Sequence, residues 1–150
     1  MNDAQRTILI VDDDADDRLM LSDALGESGI NHELHEAENG EELLDYLHND
    51  GKFSDSSKYP QPHLVFLDLN MPKKDGRTAL KEVKENPALR HIPIIILTTS
   101  KAEEDVLRIY EAGGTSYIQK PSSYEGLVDI IKILGRYWFH IVTLPPNQHA

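Results

Sequence analysis

Aspartates, one threonine and one lysine, each directly following an apolar stretch, are the residues with chemistry to offer. Asp12 and Asp13 follow the β-branched run at 8–11, and Asp68 closes the run at 64–67 just before Asn70 and Pro72. Thr98 follows the run at 94–97, and Lys120 stands between a short stretch at 116–119 and Pro121. Carboxylates are seldom buried without a partner, so Asp68 belongs at an exposed strand end, near cations, or both. Three carboxylates at one rim repel unless a cation neutralises them, and hard oxygen ligands with an open coordination sphere favour Mg2+. An ammonium opposite and a hydroxyl beside such an ion would stabilise a transferring phosphoryl group. An aspartate balanced in this way can act as a nucleophile and form an acyl phosphate. Each feature alone is ordinary. An acidic residue after a strand more often caps a helix than binds metal, a strand-terminal threonine usually just fits the pleat, and Lys-Pro usually makes a turn. Their recurrence at the same end of consecutive units carries the weight.

Those units are read from pattern. Runs at 8–11, 64–67 and 94–97 are apolar on both faces, as the centre of a parallel sheet requires. Residues 32–37 alternate weakly and suit a more exposed strand, and 116–119 a short fifth one. Between them lie helical stretches: Asp14 caps the first, which stops at Gly29, and Asn39 caps the second, through Leu47. The third ends near Asn86 and Pro87. Ser100 with Glu103, and Ser122 with Glu125, have the spacing of capping boxes for the fourth and fifth. Residues 49–62 are rich in Ser, Gly and Pro and read as a long mobile surface loop. Five β-then-α units imply an α/β fold with a parallel sheet, helices on both faces and right-handed crossovers. Ligands of such sheets sit beyond the carboxyl ends of the strands, which gathers the strand-end residues into one site.

The 150 residues fit one domain, with a core over about 7–134 and an extension over 135–150. A net charge of -11 argues against nonspecific binding to nucleic acid or anionic membrane. With no cysteine there is no disulfide framework and no thiolate metal site. Residues 1–7 are polar and too short for a signal peptide, and no apolar run approaches the ~20 residues that span a bilayer, so the expected location is cytoplasmic. The seven histidines form no metalloprotease spacing, and His32 and His35 are expected at the surface.

Over about residues 7–134 the chain resembles a response-regulator receiver domain of two-component signalling. The resemblance is carried by Val11-Asp12-Asp13, Leu67-Asp68-Leu69-Asn70-Met71-Pro72 with Asp75-Gly76, Leu97-Thr98, and Tyr117 with Lys120-Pro121. It implies a doubly wound, flavodoxin-like (βα)5 sheet of strand order 2-1-3-4-5. It implies that Asp68 accepts the phosphoryl group. Asp12 and Asp13 would hold Mg2+ with Asp68 and the backbone carbonyl of Asn70, and Thr98 and Lys120 would bind the phosphoryl oxygens. Thr98 and Tyr117 would form a switch that changes the partner preference of the surface of the fourth helix, fifth strand and fifth helix. A cis bond before Pro121 is also implied. Such a domain is no enzyme beyond catalysing its own phosphorylation and dephosphorylation, and its donor is a sensor histidine kinase.

The chain continues beyond the fifth helix through Tyr137, Trp138 and Phe139 to Val142-Thr143-Leu144-Pro145, more apolar surface than one helix needs to cover a core. Together with the long loop, this extension is similar to the single-domain response regulators that serve phytochrome kinases. That likeness implies a homodimer formed through the fourth and fifth helices and the extension, and output through protein contacts. Three other readings are weaker. A haloacid-dehalogenase-type phosphatase needs a second aspartate where Asn70 stands. A flavodoxin-like binder needs a Ser/Thr/Gly-rich phosphate loop where Asp12, Asp13 and Asp14 stand. A receiver fold used as a phosphorylation-independent interaction module would have no need of the intact Asp12, Asp13, Asp68, Thr98 and Lys120.

Overall fold

The computed structural model describes residues 5–71, 73–99 and 102–145. Among them five strands alternate with five α-helices: β1 (Arg6–Val11), α1 (Ala15–Ser28), β2 (His32–Ala37), α2 (Gly40–His48), β3 (Leu64–Leu67), α3 (Gly76–Glu85), β4 (Ile94–Thr98), α4 (Glu103–Glu111), β5 (Ser116–Gln119) and α5 (Tyr124–Arg136). All strand pairs are parallel and the order is β2-β1-β3-β4-β5, as the resemblance implies. Because side chains alternate along a strand, each apolar run serves two cores. Leu9, Val11, Val65, Leu67, Ile94 and Ile96 face α2 and α3 and meet Ile109 of α4. Ile8, Ile10, Leu64, Phe66, Ile95 and Leu97 face α1 and α5. Each such side chain contributes about 1.5–3 kcal/mol on burial, which is why runs apolar on both faces hold the centre of the sheet.

Helix boundaries follow local chemistry. Asp14 caps α1, its Oδ1 accepting from the N–H groups of Asp16 and Asp17, and Gly29 ends the helix in the left-handed region at φ 81°. Asn39 caps α2 through Glu42 N–H. The cap of α5 is Ser123, accepting from Gly126 N–H at 3.0 Å, and not Ser122 as the spacing predicts. Either serine could serve; the point where the chain leaves β5 selects the second. The first turn of α4 opens at Ala102, which has no side-chain acceptor; Ser100 lies outside the described residues. The Lys120–Pro121 bond is trans, against the implied cis form.

Residues 49–62 form the surface loop their composition predicts, but it is tied to the domain by buried aromatics. A 3-10 turn (Gly51–Phe53) buries Phe53 against Tyr46 and Tyr59, with ring centroids 5.1 Å apart in both pairs. Asn49 Nδ2 donates to the carbonyls of Phe53 and Tyr59, and Tyr46 O–H donates to that of Pro60 at 2.8 Å. His35, expected at the surface, is half-buried edge-on to Tyr59. Scattered aromatics outweigh a polar average here, because each carries a large apolar area.

At the other end, α5 runs on into a π-helical turn (Tyr137–Ile141). Phe139 is buried with the Arg6 guanidinium 5.8 Å from its ring centroid, and Trp138 and Leu144 pack on the α1/α5 core. Part of the extension therefore folds back on the chain, while Tyr137, Ile141 and, one turn earlier, Ile133 stay exposed. No helix among the described residues is long and apolar enough to cross a membrane.

Candidate functional site

Register brings the strand-end residues together. Val11 pairs with Leu67, so Asp12 and Asp68 leave adjacent strands at one level, with Asp68 N–H donating to Val11 C=O at 2.9 Å. On the far side, Lys120 N–H donates to Thr98 C=O at 2.7 Å, which sets the lysine beside the end of β4. Asp12, Asp13 and Asp68 each present a carboxylate oxygen, and all three oxygens lie within 4.8 Å of one another. Asp12 and Asp68 are 5% and 8% exposed, and Asp13 is open to solvent.

Lys120 Nζ reaches over this group, donating to Asp12 Oδ2 at 2.8 Å and Asp17 Oδ2 at 3.0 Å, with Asp68 Oδ2 3.9 Å away. Burial pushes the Asp12 carboxyl up, against the hydrogen bonds it accepts from Lys120 and from Asp14 N–H, and it stays above the usual carboxylate range. Burial also acts to lower Lys120, but the hydrogen bond to Asp12 and the charges of Asp68 and Asp12 outweigh it, and the ammonium is held more firmly than in water. Thr98 is fully buried, and its Oγ1 has no hydrogen-bond partner among the described residues. A buried hydroxyl left unpaired costs about 1–3 kcal/mol, a cost that a polar group within its reach would relieve.

The set fits a divalent cation: among the described residues three clustered carboxylates outnumber the Lys120 ammonium that reaches them, and their oxygens are hard ligands. Asn70 is exposed on the loop directly after Asp68. Tyr117 is half-buried on β5 against the α2/α3 core, with its backbone N–H donating to the Tyr110 hydroxyl.

Sequence reasoning missed two residues of α1. Asp17 shares Lys120, and Arg18 donates from Nη1 to Asp12 C=O at 2.7 Å and from Nε to Glu36 Oε1 at 2.8 Å. Arg18 thus fixes the backbone that presents Asp12. The signal was present in outline, since Cα–Cβ bonds of a helix tilt towards its N-terminus and carry first-turn side chains back over the strand ends.

A sheet wound in this order, with this group at its carboxyl edge, is the arrangement of a receiver, and the response regulator receiver domain model matches residues 8–132. The chain belongs to that family, whose members are phosphoacceptor signalling proteins rather than enzymes of the usual kind. It is 38% identical over 140 residues to the response regulator Rcp1 of Synechocystis sp., covering 93% of both chains. The crystal structure of the phosphorylated cyanobacterial phytochrome response regulator RcpA superposes with a TM-score of 0.88 at 35% identity, covering 95% of this chain and 100% of that one. The Mn2+-bound form of Rcp1 gives 0.84 at 37%, covering 94% and 99%.

Proposed function

We propose that this chain is a single-domain response regulator, built as one receiver domain over residues 1–150, that accepts a phosphoryl group on Asp68 from a sensor histidine kinase. The observation that carries the reading is the convergence of Asp12, Asp13 and Asp68 under the Lys120 ammonium, with Thr98 at the end of β4 keeping a buried hydroxyl that has no hydrogen-bond partner among the described residues. An Asp68 carboxylate oxygen attacks phosphorus, the bond from phosphorus to the kinase histidine breaks, and an acyl phosphate forms. Asp12, Asp13, Asp68 and the Asn70 backbone carbonyl would hold Mg2+, which supplies charge neutralisation at the phosphoryl oxygens. Lys120 and the Thr98 hydroxyl bind those oxygens, and Tyr117 follows Thr98 in the switch. Hydrolysis returns the Asp68 carboxylate and inorganic phosphate, so no separate substrate is turned over.

Similarity over nearly the whole chain to RcpA, a cyanobacterial phytochrome response regulator, supports a phytochrome as the donor kinase, and we place the protein in the cytoplasm. Exposed Leu107 and Tyr110 on α4, with Ile133, Tyr137 and Ile141 along α5 and its extension, support a homodimer through that surface.

Incubation with acetyl phosphate, with and without Mg2+, tests the reading by intact mass. Wild type gains one phosphoryl group only with Mg2+ present, and Asp68→Asn gains none. A folded wild type that stays unmodified would shift the assignment to a phosphorylation-independent interaction module.

A further inference from the structure

We propose that Asp17 is a positioning residue for Lys120, a tether that draws the ammonium towards α1 and off Asp68 until a phosphoryl group competes for it. The proposal rests on the reading of Asp68 as phosphoacceptor. A lysine ammonium has three N–H bonds to give. One goes to Asp12 at 2.8 Å and one to Asp17 at 3.0 Å, while Asp68 at 3.9 Å lies beyond hydrogen-bond range. Of the carboxylates around Lys120, Asp17 alone stands outside the cation trio. It is the third residue of α1, its own N–H held by Asp14, so the helix start fixes where its carboxylate points. Asp17, Asp68 and Lys120 line one cavity of 350 Å3.

Two consequences of opposite sign follow. With Lys120 held by Asp17, the oxygens of Asp68 are left to a divalent cation, so the tether favours cation binding. After transfer, the phosphoryl oxygens must win the ammonium from Asp17, so the same tether weakens the grip of Lys120 on the acyl phosphate. Asp16 is the matched control. It lies in the same helical turn, carries the same charge and has its N–H on the same Asp14 oxygen, but it is not among the carboxylates paired with Lys120.

The experiment is a Mn2+ titration of wild type, Asp17→Asn, Asp16→Asn, Lys120→Met and the Asp17→Asn/Lys120→Met double variant, each first shown to be folded. Asp17 is partly exposed, so a modest effect is expected: Asp17→Asn weakens Mn2+ binding about threefold, Asp16→Asn does not, and the loss vanishes once Lys120 is Met. An equal loss in Asp16→Asn, or a loss that persists without Lys120, means that charge alone acts and overturns the tether. Wild type that takes up no Mn2+ overturns it as well. This cycle needs no phosphoryl transfer, so it can succeed while Asp68 proves unreactive, and it can fail while Asp68 is phosphorylated. Where the adduct forms, its half-life after donor removal lengthens about threefold in Asp17→Asn and is unchanged in Asp16→Asn. An unchanged or shorter half-life in Asp17→Asn would also sink the proposal.

Discussion

Helices α2 and α4 have nine residues each and pack on the same face of the sheet, yet they are held very differently. Helix α2 buries Gly40, Leu43, Tyr46 and Leu47, takes a side-chain cap from Asn39, and is roofed by Phe53 and Tyr59. Helix α4 buries Ile109, begins at Ala102 without a side-chain cap, and leaves Leu107 and Tyr110 61% and 51% exposed. Its first turn is tied to α3 by Arg77, whose Nε and Nη2 each donate to Asp105 at 2.7 Å. Little apolar burial means a low free energy of local opening. That face of the sheet therefore has a firmly held end at α2 and a lightly held end at α4, the helix that follows β4 and Thr98 in the chain.

The comparison can be tested from its heaviest contact to its lightest. Tyr46→Ala removes a fully buried ring and its bond to the Pro60 carbonyl, and should cost about 3–5 kcal/mol in urea unfolding. A loss below about 1 kcal/mol would mean that the α2 side is no anchor. Arg77→Ala removes a partly exposed bidentate pair worth about 1 kcal/mol or less. Hydrogen exchange should quicken in the α4 amides and stay unchanged in α2; a uniform rise would show one cooperative unit. Leu107→Ser should alter monomer stability by no more than about 0.5 kcal/mol while weakening self-association in sedimentation. Unaltered association would remove Leu107 from the dimer surface.

The readable parts were those set by short-range pattern. Runs such as 64–67 and 94–97 are buried on both faces, so each one fixed a central strand and the position of the polar residue that ends it. Asp14 and Asn39 could be read as caps because a cap bonds within its own turn. What escaped depends on distant partners. The bond between Asp17 and Lys120 joins residues 103 apart, and no local periodicity reports it. Phe53 and Tyr59 have no regular spacing with Tyr46, so a polar average hid the aromatic cluster. Which of two adjacent serines caps α5 depends on the exit of β5, a tertiary property.

Gly76 opens α3 with its backbone lying on the main chain of the Asp68 strand end. A Cβ there would sit 2.3 Å from the Asp68 carbonyl oxygen and 2.9 Å from Leu69 Cα. No side chain cushions that joint, and close-packed interiors pass small displacements on rather than absorb them. A shift of the Asp68 backbone is thus handed to the start of α3, and the next residue, Arg77, grips Asp105 on α4. The loosely seated helix and the acidic rim are thus two contacts apart, one a backbone joint at Gly76 and the other the Arg77–Asp105 ion pair.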